Sequence, residues 1–193
     1  MHQNNKNQKS DLPKRWFFFN PTIDLNHRVF YNLSNKIGVV FFNTDRNQNF
    51  HIKIQPFVQW CNKKQIKFMI PYSSFWAYRN SAYGFFTDSN YSQNFKLPNL
   101  KIPKKAFVAT KVHSLKEARA AIKYADIIFI TPIFKTLSHP KQTPMSRDIL
   151  IKLCLFFKEQ MIFGLGGVNE YNFKFVKKYN LYGFGGISNF GGG

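Results

Sequence analysis

The chain has 193 residues, of which 44% are hydrophobic and 18% aromatic, and its formal net charge is +19. This composition is typical of one folded domain, and the chain lacks the run of about 20 apolar residues that a membrane span needs. Lys outnumbers Arg 22 to 6, and the lysines are dispersed in ones and twos. Solvated surface lysines are therefore favoured over a nucleic-acid groove, which stays open as an alternative, and the positive field favours anionic ligands.

Residues 1–12 are polar, rich in Asn and Gln and without apolar period, which predicts a disordered tail before a domain over 13–193. The tail has no apolar core of the kind found in secretory signals, so we expect a cytoplasmic protein. Cys61 and Cys154 lie in helix-like segments beside apolar neighbours, which indicates buried free thiols.

In the first half of the chain, short apolar runs alternate with segments of helical period. We predict strands at 15–19, 38–42, 67–70 and 84–86. Leu25, Val29 and Leu33 predict a first helix, Phe57, Val58 and Cys61 predict a second, and a short helical piece follows at 76–82. The connection 89–105 contains Pro98 and Pro103 and no clear period, so the fourth helix is expected to be short or absent.

The second half repeats the alternation more regularly. We predict strands at 105–109, 127–134, 161–165 and 181–187. A capping box from Ser114 to Glu117 opens a helix whose Leu115, Ala118 and Ile122 are expected to face inward. Apolar residues at 149, 150, 153, 154 and 157 predict the next helix, and residues 171–178 the last.

Eight apolar strands interleaved with helices indicate a parallel sheet covered on its faces. The count favours a compact (β/α)8 TIM barrel with a reduced fourth helix, and with no eighth helix because the sequence stops at Gly193. A contact with a second copy of the chain is one way to cover the position of that helix. An open doubly wound sheet is the alternative.

Glycine clusters end the last two predicted strands. Gly166 and Gly167 follow the seventh strand, and Gly186 and Ser188 close the eighth. In a barrel of this type, phosphate commonly binds at the loops after strands seven and eight, where glycine lets backbone N–H groups approach an anion. The positions therefore predict a phosphate site, although a single Gly-Gly pair also occurs in ordinary tight turns.

Four motifs in order resemble the thiamine phosphate synthase and thiazole tautomerase family: VHSLKEA at 112–118, ADIIFITPIFKTLSHP at 125–140, GLGGV at 164–168 and YGFGGIS at 182–188. The resemblance covers the second half of the domain well and the first half only through the order of its elements. It implies a barrel that joins hydroxymethylpyrimidine diphosphate to a thiazole phosphate, giving thiamine phosphate and pyrophosphate with Mg²⁺. The implied partners are phosphorylated small molecules, with a homo-oligomer as a further expectation.

The resemblance also assigns site residues. It implies that Thr136, Ser138 and His139 contact the diphosphate and the thiazole phosphate, and that Gly166, Gly167 and Ser188 hold the thiazole phosphate. His113 matches a family histidine at the end of strand five, and we expect a supporting role for it rather than a catalytic one.

The matches in the first half are incomplete. The family has an Arg and a Lys after strand two, where this chain has Arg46 alone, and Asn-Asp after strand three, where it has Pro71 and Tyr72. Asp88 is the single candidate ligand for Mg²⁺, and His139 replaces the lysine of the strand-six motif.

These differences leave three functions open. The first is coupling with a reduced site. The second is a related barrel that binds or isomerises a thiazole phosphate; the tautomerase histidine after strand six is Pro132 here, which leaves His139 as the candidate proton shuttle. The third is nucleic-acid binding.

Overall fold

Eight strands in the described part of the chain form a closed barrel in which every neighbouring pair is parallel and β1 pairs with β8. The structure is a computed structural model that describes residues 11–24, 27–43, 49–71, 73–87, 106–136, 142–188 and 190. The strands are β1 Arg15–Phe19, β2 Ile37–Phe41, β3 Phe68–Pro71, β4 Gly84–Thr87, β5 Phe107–Val112, β6 Ile127–Ile130, β7 Met161–Gly164 and β8 Gly183–Gly186. The predicted TIM barrel is confirmed, and the open sheet is excluded.

Helices on the outside of the barrel follow most of the strands. They are α1 His27–Tyr31, α2 Phe50–Lys63, α3 Ser74–Arg79, α4 Leu115–Ala121, α5 Arg147–Phe156 and α6 Glu170–Val176, which continues as a 3-10 turn over Lys177–Tyr179. Side chains of Ser73, Ser114, Ser146 and Asn169 accept backbone N–H groups at the starts of α3 to α6. These caps fix where each helix begins and hence the length of the preceding loop.

The burial of Ile122 and the end of the sixth strand are among the predicted details that differ from the structure. Ile122 was expected to face inward, but it is 37% exposed, because α4 ends at Ala121 and Ala121 takes the inward position. Strand β6 ends at Ile130, four residues before the predicted end, because Pro132 lacks the N–H that a strand would continue to use. The predicted reduced fourth helix falls on 89–105, outside the described residues, and 187, 188 and 190 after β8 are not helical.

Alternating side chains along each strand divide the core into a lumen and an outer layer. Trp16 and Phe18 point into the barrel, whereas Phe17 and Phe19 pack outward with the helices. The lumen cluster is largely aromatic and includes Trp16, Phe18, Phe86, Phe107, Phe129 and Phe163. Gly38 makes room for it, because a Cβ there would come within 2.4 Å of the Trp16 ring. The lumen is therefore packed, and space for a ligand is left at one end of the barrel.

The cysteines and the start of the domain complete the fold. Cys61 in α2 and Cys154 in α5 are buried and free, as predicted. Burial raises the pKa of the Cys61 thiol to about 12 and that of Cys154 to about 11.

Leu12, which the sequence places in the tail, is 5% exposed and packs with the lumen cluster. Asp11 is exposed and pairs with Lys67, so the packed part of the chain begins at Leu12.

Candidate active site

A cavity of about 310 Å³ lies at the carboxyl ends of the strands, above the aromatic lumen. Phe18 and Phe86 belong to its floor. The Phe18 ring packs edge to face with the rings of both Phe86 and Phe129. The ring centroids of Phe18 are 5.0 Å from Phe129 and 5.4 Å from Phe86. Gly185 in β8 permits this packing, because a Cβ there would lie 2.7 Å from the Phe18 ring. The floor thus offers flat apolar faces of the kind on which a heteroaromatic ring packs.

The wall on the β7 side is a glycine turn. Gly166 and Gly167 both have positive φ, 81° and 69°, a conformation that residues with a side chain rarely adopt. A Cβ on Gly167 would lie 2.5 Å from the carbonyl oxygen of Lys135. The loop after β7 therefore lies so close to the loop after β6 that a side chain at position 167 does not fit.

The hydrogen bonds of this turn use its carbonyl groups. The Gly166 oxygen accepts from the N–H of Phe134 at 3.0 Å, and the Gly167 oxygen accepts from Asn172 Nδ2 at 2.8 Å. Within the described residues, the N–H groups of Gly166 and Gly167 have no acceptor. Two successive left-handed residues with available N–H groups form a concave arrangement that suits an anion.

The cavity also carries basic side chains that the sequence did not single out. Lys111 of β5 and Lys135 of the loop after β6 line it, whereas none of its described lining residues is an Asp or a Glu. Lys111 was detectable in principle, because Phe107 and Ala109 are apolar lumen positions and Lys111 is the next residue in that alternation. Among 22 dispersed lysines, however, its charge does not stand out in the sequence.

His113 lines the same cavity and is held by Glu117. Its Nδ1 lies 3.1 Å from the Glu117 carboxylate, which also accepts the backbone N–H of His113 at 2.9 Å. Ser114 in turn caps α4 by accepting the N–H of Glu117. The start of α4 thereby fixes the orientation of the imidazole, and a carboxylate at Nδ1 favours the tautomer with its proton there, leaving Nε2 as the basic nitrogen.

The structure places six of the predicted site residues in this one cavity: His113, Thr136, Gly166, Gly167, Gly186 and Ser188. Arg46, Asp88, Ser138 and His139 lie outside the described residues, as does Tyr72. Pro71 is the last residue of β3, and Pro132 makes a loop contact, since its carbonyl accepts the N–H of Met145 at 2.8 Å. The roles assigned to the predicted residues stay predictions.

Comparison with known proteins decides the family. The model of the thiamine monophosphate synthase family matches residues 23–190, which is most of the chain. The chain belongs to this family. A protein of Aquifex aeolicus provisionally named thiamine-phosphate synthase 2 is 37% identical over 87 residues, which are 43% of this chain and 45% of that protein. The chain thus matches less than half the length of that relative.

Solved structures show the same fold at low sequence identity. A thiamine phosphate pyrophosphorylase from Pyrococcus furiosus has a TM-score of 0.66 and 16% identity, covering 93% of this chain and 88% of that one. An HpcH/HpaI aldolase from Desulfitobacterium hafniense has a TM-score of 0.63 and 9% identity, covering 96% and 90%. Because proteins of different names share the barrel, these likenesses establish the fold and leave the reaction to the site.

In the described part of the chain, no helix is long and apolar enough to cross a membrane. In that same part of the chain, no group of three or more His, Cys, Asp or Glu side chains is placed to hold a metal ion.

Proposed function

We propose that the protein couples hydroxymethylpyrimidine diphosphate to thiazole phosphate, giving thiamine phosphate and pyrophosphate. The observation that carries the proposal is the joint lining of one cavity by the glycine turn, the basic side chains and the aromatic floor. The family match over residues 23–190 supports the assignment to thiamine biosynthesis. Thiazole phosphate and the pyrimidine diphosphate are both flat rings that carry anionic groups, which is the ligand class such a cavity suits.

The thiazole phosphate is the ligand we assign to the β7 and β8 side. The N–H groups of Gly166 and Gly167 and the hydroxyl of Ser188 supply hydrogen-bond donors there without bulk. Thr136, in the loop after β6, supplies a further hydroxyl at the cavity. Fixing the phosphate orients the ring, so that its nitrogen is held towards the second substrate.

The reaction then needs one bond to break and one to form. The bond between the pyrimidine methylene carbon and the diphosphate oxygen breaks, and its electron pair leaves with pyrophosphate. The thiazole nitrogen donates its pair to the same carbon. Negative charge develops on the leaving oxygen, so the basic side chains of Lys111 and Lys135 are placed to favour departure. No proton transfer is needed in this step.

Magnesium is the cofactor that the resemblance implies, and we propose it with Asp88 as the protein ligand. The described lining of the cavity contains no carboxylate, so those residues alone do not fit a metal site. We therefore assign no step to the ion. Titration of Mg²⁺ into the metal-free enzyme, with Asp88→Asn as the variant, tests the proposal; equal rates with and without the ion would contradict it.

The coupling activity is tested by incubating the purified protein with both phosphorylated precursors and Mg²⁺ and measuring thiamine phosphate. We expect product formation that falls in Ser188→Ala and Thr136→Ala, each of which removes one hydroxyl from the cavity. Absence of thiamine phosphate at micromolar enzyme would refute coupling.

A second candidate, isomerisation of a thiazole phosphate without coupling, is favoured by the oriented His113. An imidazole with a carboxylate at Nδ1 is a common general base. The test is conversion of the thiazole tautomer by the wild type and by His113→Asn. Turnover that depends on His113 in a protein unable to couple would support this candidate, and absence of isomerisation would remove it.

Nucleic-acid binding remains the least favoured function. Exposed lysines lie on separate helices around the barrel, as Lys53 on α2, Lys116 on α4 and Lys152 on α5 illustrate. A nucleic-acid groove requires such charges to converge on one face.

We propose the cytoplasm as the location, in keeping with two free thiols.

A further inference from the structure

Phe190 is a partly buried residue beyond the end of β8, and its ring packs against both strands of the pair that closes the barrel. The ring centroid of Phe190 lies 5.4 Å from that of Phe17 on β1 and 6.4 Å from that of Phe184 on β8. Phe17 and Phe184 belong to two different clusters of the outer layer, and Phe190 packs against both clusters. These contacts attach the chain after β8 to the outside of the barrel.

Glycine at position 186 leaves the space for this ring. Gly185 faces the lumen, so the next residue of β8, Gly186, lies on the outer face of the strand. A Cβ built on Gly186 would be 3.3 Å from the Phe190 ring and 3.5 Å from the carbonyl oxygen of Ser188. Ser188 and Phe190 therefore both lie over the outer side of Gly186, and the Phe190 ring covers a position where the strand has no side chain of its own.

The residues directly after β8 line the candidate active site. Ile187 packs against the lumen cluster, and Ser188 follows it at the mouth of the cavity. Ser188 is exposed, so burial of its own side chain does not hold it in place. Its position depends on the chain on either side. Strand pairing holds Gly186 in register with Phe17 before it, and the packing of Phe190 holds the chain after it.

Such an anchor matters for binding because an exposed hydroxyl on a loose chain end has to be ordered by the ligand. The free energy spent on that ordering is lost from the affinity, whereas a hydroxyl that is already in place retains it. Aromatic contacts with two strands are well suited to the task, since ring pairs contribute beyond the area they bury.

We propose that Phe190 is a positioning residue for the phosphate side of the cavity: its ring, packed over Gly186 against Phe17 and Phe184, holds the chain that presents Ser188. The inference rests on the proposed function, which assigns the thiazole phosphate to Ser188 and the glycine turn. Phe190 lies outside the described lining of the cavity and acts through Ser188 rather than on the ligand.

The test combines phosphate binding with a double-mutant cycle. Calorimetry with inorganic phosphate is carried out on the wild type, Phe190→Ala, Ser188→Ala and the double variant, and steady-state assays give a separate KM for each substrate. Phe190→Leu is the conservative variant, and Phe190→Val replaces Phe190→Ala in the cycle if the alanine variant does not fold. Phe156→Ala is the control, because Phe156 is a partly buried ring at the end of α5 that packs against the same outer cluster as Phe190.

We expect Ser188→Ala to weaken phosphate binding by about ten- to a hundredfold, the usual effect of removing one hydrogen bond to a charged group. Phe190→Ala should weaken it by about five- to tenfold, because the hydroxyl remains but is no longer held in place. The double variant should bind within about twofold of Ser188→Ala, since Phe190 has nothing left to position once the hydroxyl is gone. Phe190→Leu should stay within about twofold of the wild type.

The kinetic constants should show the same selectivity. Phe190→Ala should raise the KM for thiazole phosphate by about the factor seen in phosphate binding and change the KM for the pyrimidine diphosphate by less than about twofold. Phe156→Ala should lower the melting temperature as Phe190→Ala does, because each removes a partly buried ring. Its phosphate affinity should nevertheless match that of the wild type.

Phosphate affinity that is unchanged in Phe190→Ala, or equally weakened in Phe156→Ala, would overturn the proposal. Additive losses in the double variant would overturn it as well, because Phe190 would then act independently of Ser188. A wild type that does not bind phosphate would remove both the positioning role and the assignment of Ser188. If the cycle gives the expected result but no thiamine phosphate forms, the coupling function fails while the positioning role of Phe190 stands.

Discussion

A methyl group added at Gly167 tests the glycine turn most directly. The residue has φ of 69°, and an added Cβ would lie 2.5 Å from the carbonyl oxygen of Lys135 and 2.9 Å from the carbonyl carbon of Phe134. Both atoms are backbone, so the clash in Gly167→Ala cannot be relieved by turning a side chain. The loop after β6 or the turn itself has to move.

The size of the effect follows from three contributions. A left-handed conformation costs an alanine about 1–2 kcal/mol, and displacement of packed backbone costs about 1–3 kcal/mol. The alanine also restricts the unfolded chain, which offsets about 0.4–1 kcal/mol. We expect Gly167→Ala to lose about 2–4 kcal/mol in the free energy of unfolding. For a chain of this size, the melting temperature should fall by roughly 4–16 °C.

Thermal and urea unfolding followed by circular dichroism measure this loss. Gly186→Ala is the matched control, because the nearest atom to its added Cβ is a Phe190 ring carbon at 3.3 Å and its φ lies outside the left-handed region. That variant should lose less than about 1 kcal/mol. Calorimetry with inorganic phosphate should also show weaker binding to Gly167→Ala. Equal unfolding midpoints for the two variants, with unchanged phosphate binding, would refute the reasoning.

The further predictions concern stability and thiol reactivity. Phe129→Ala should lower the free energy of unfolding in urea by about 3–5 kcal/mol, because Phe129 is fully buried in the lumen; a loss below 1 kcal/mol would contradict this. The raised pKa values of Cys61 and Cys154, about 12 and 11 against 9.0 in exposed thiols, predict slow labelling by a thiol reagent at pH 8 in the native state. They also predict that the free energy of unfolding falls as the pH rises above about 9, because the thiols ionise at lower pH in the unfolded state than in the native state. Urea unfolding should therefore show lower stability at pH 10 than at pH 8. Glu170→Gln removes the exposed pair with Arg15, whose side chains are 62% and 37% exposed, and should change the free energy of unfolding by less than about 1 kcal/mol; a larger change in the same urea titration would show that this pair is more than a surface contact.

The candidate site was predictable where its chemistry requires a particular residue. Gly166 and Gly167 could be found because a left-handed turn against a second loop leaves glycine as the fitting residue. Lys135 could not be separated from the other lysines in the same way, and Lys111 differs from them in sequence only through its place in the alternation of β5. Lysine suits most exposed positions, so its presence in the sequence carries little information about which copies face a cavity.

The sequence by itself determined the order and type of the elements, since apolar runs of strand length and stripes of helical period are local properties. The tertiary structure decided closure of the barrel, seen in the pairing of β1 with β8, and it brought Lys111 of β5 and the glycine turn after β7 to one cavity. It also turned Ile122 outward where the helical period predicted burial. These outcomes depend on strand register and on where each helix stops, which are set by packing between distant segments rather than by the residues of any one segment.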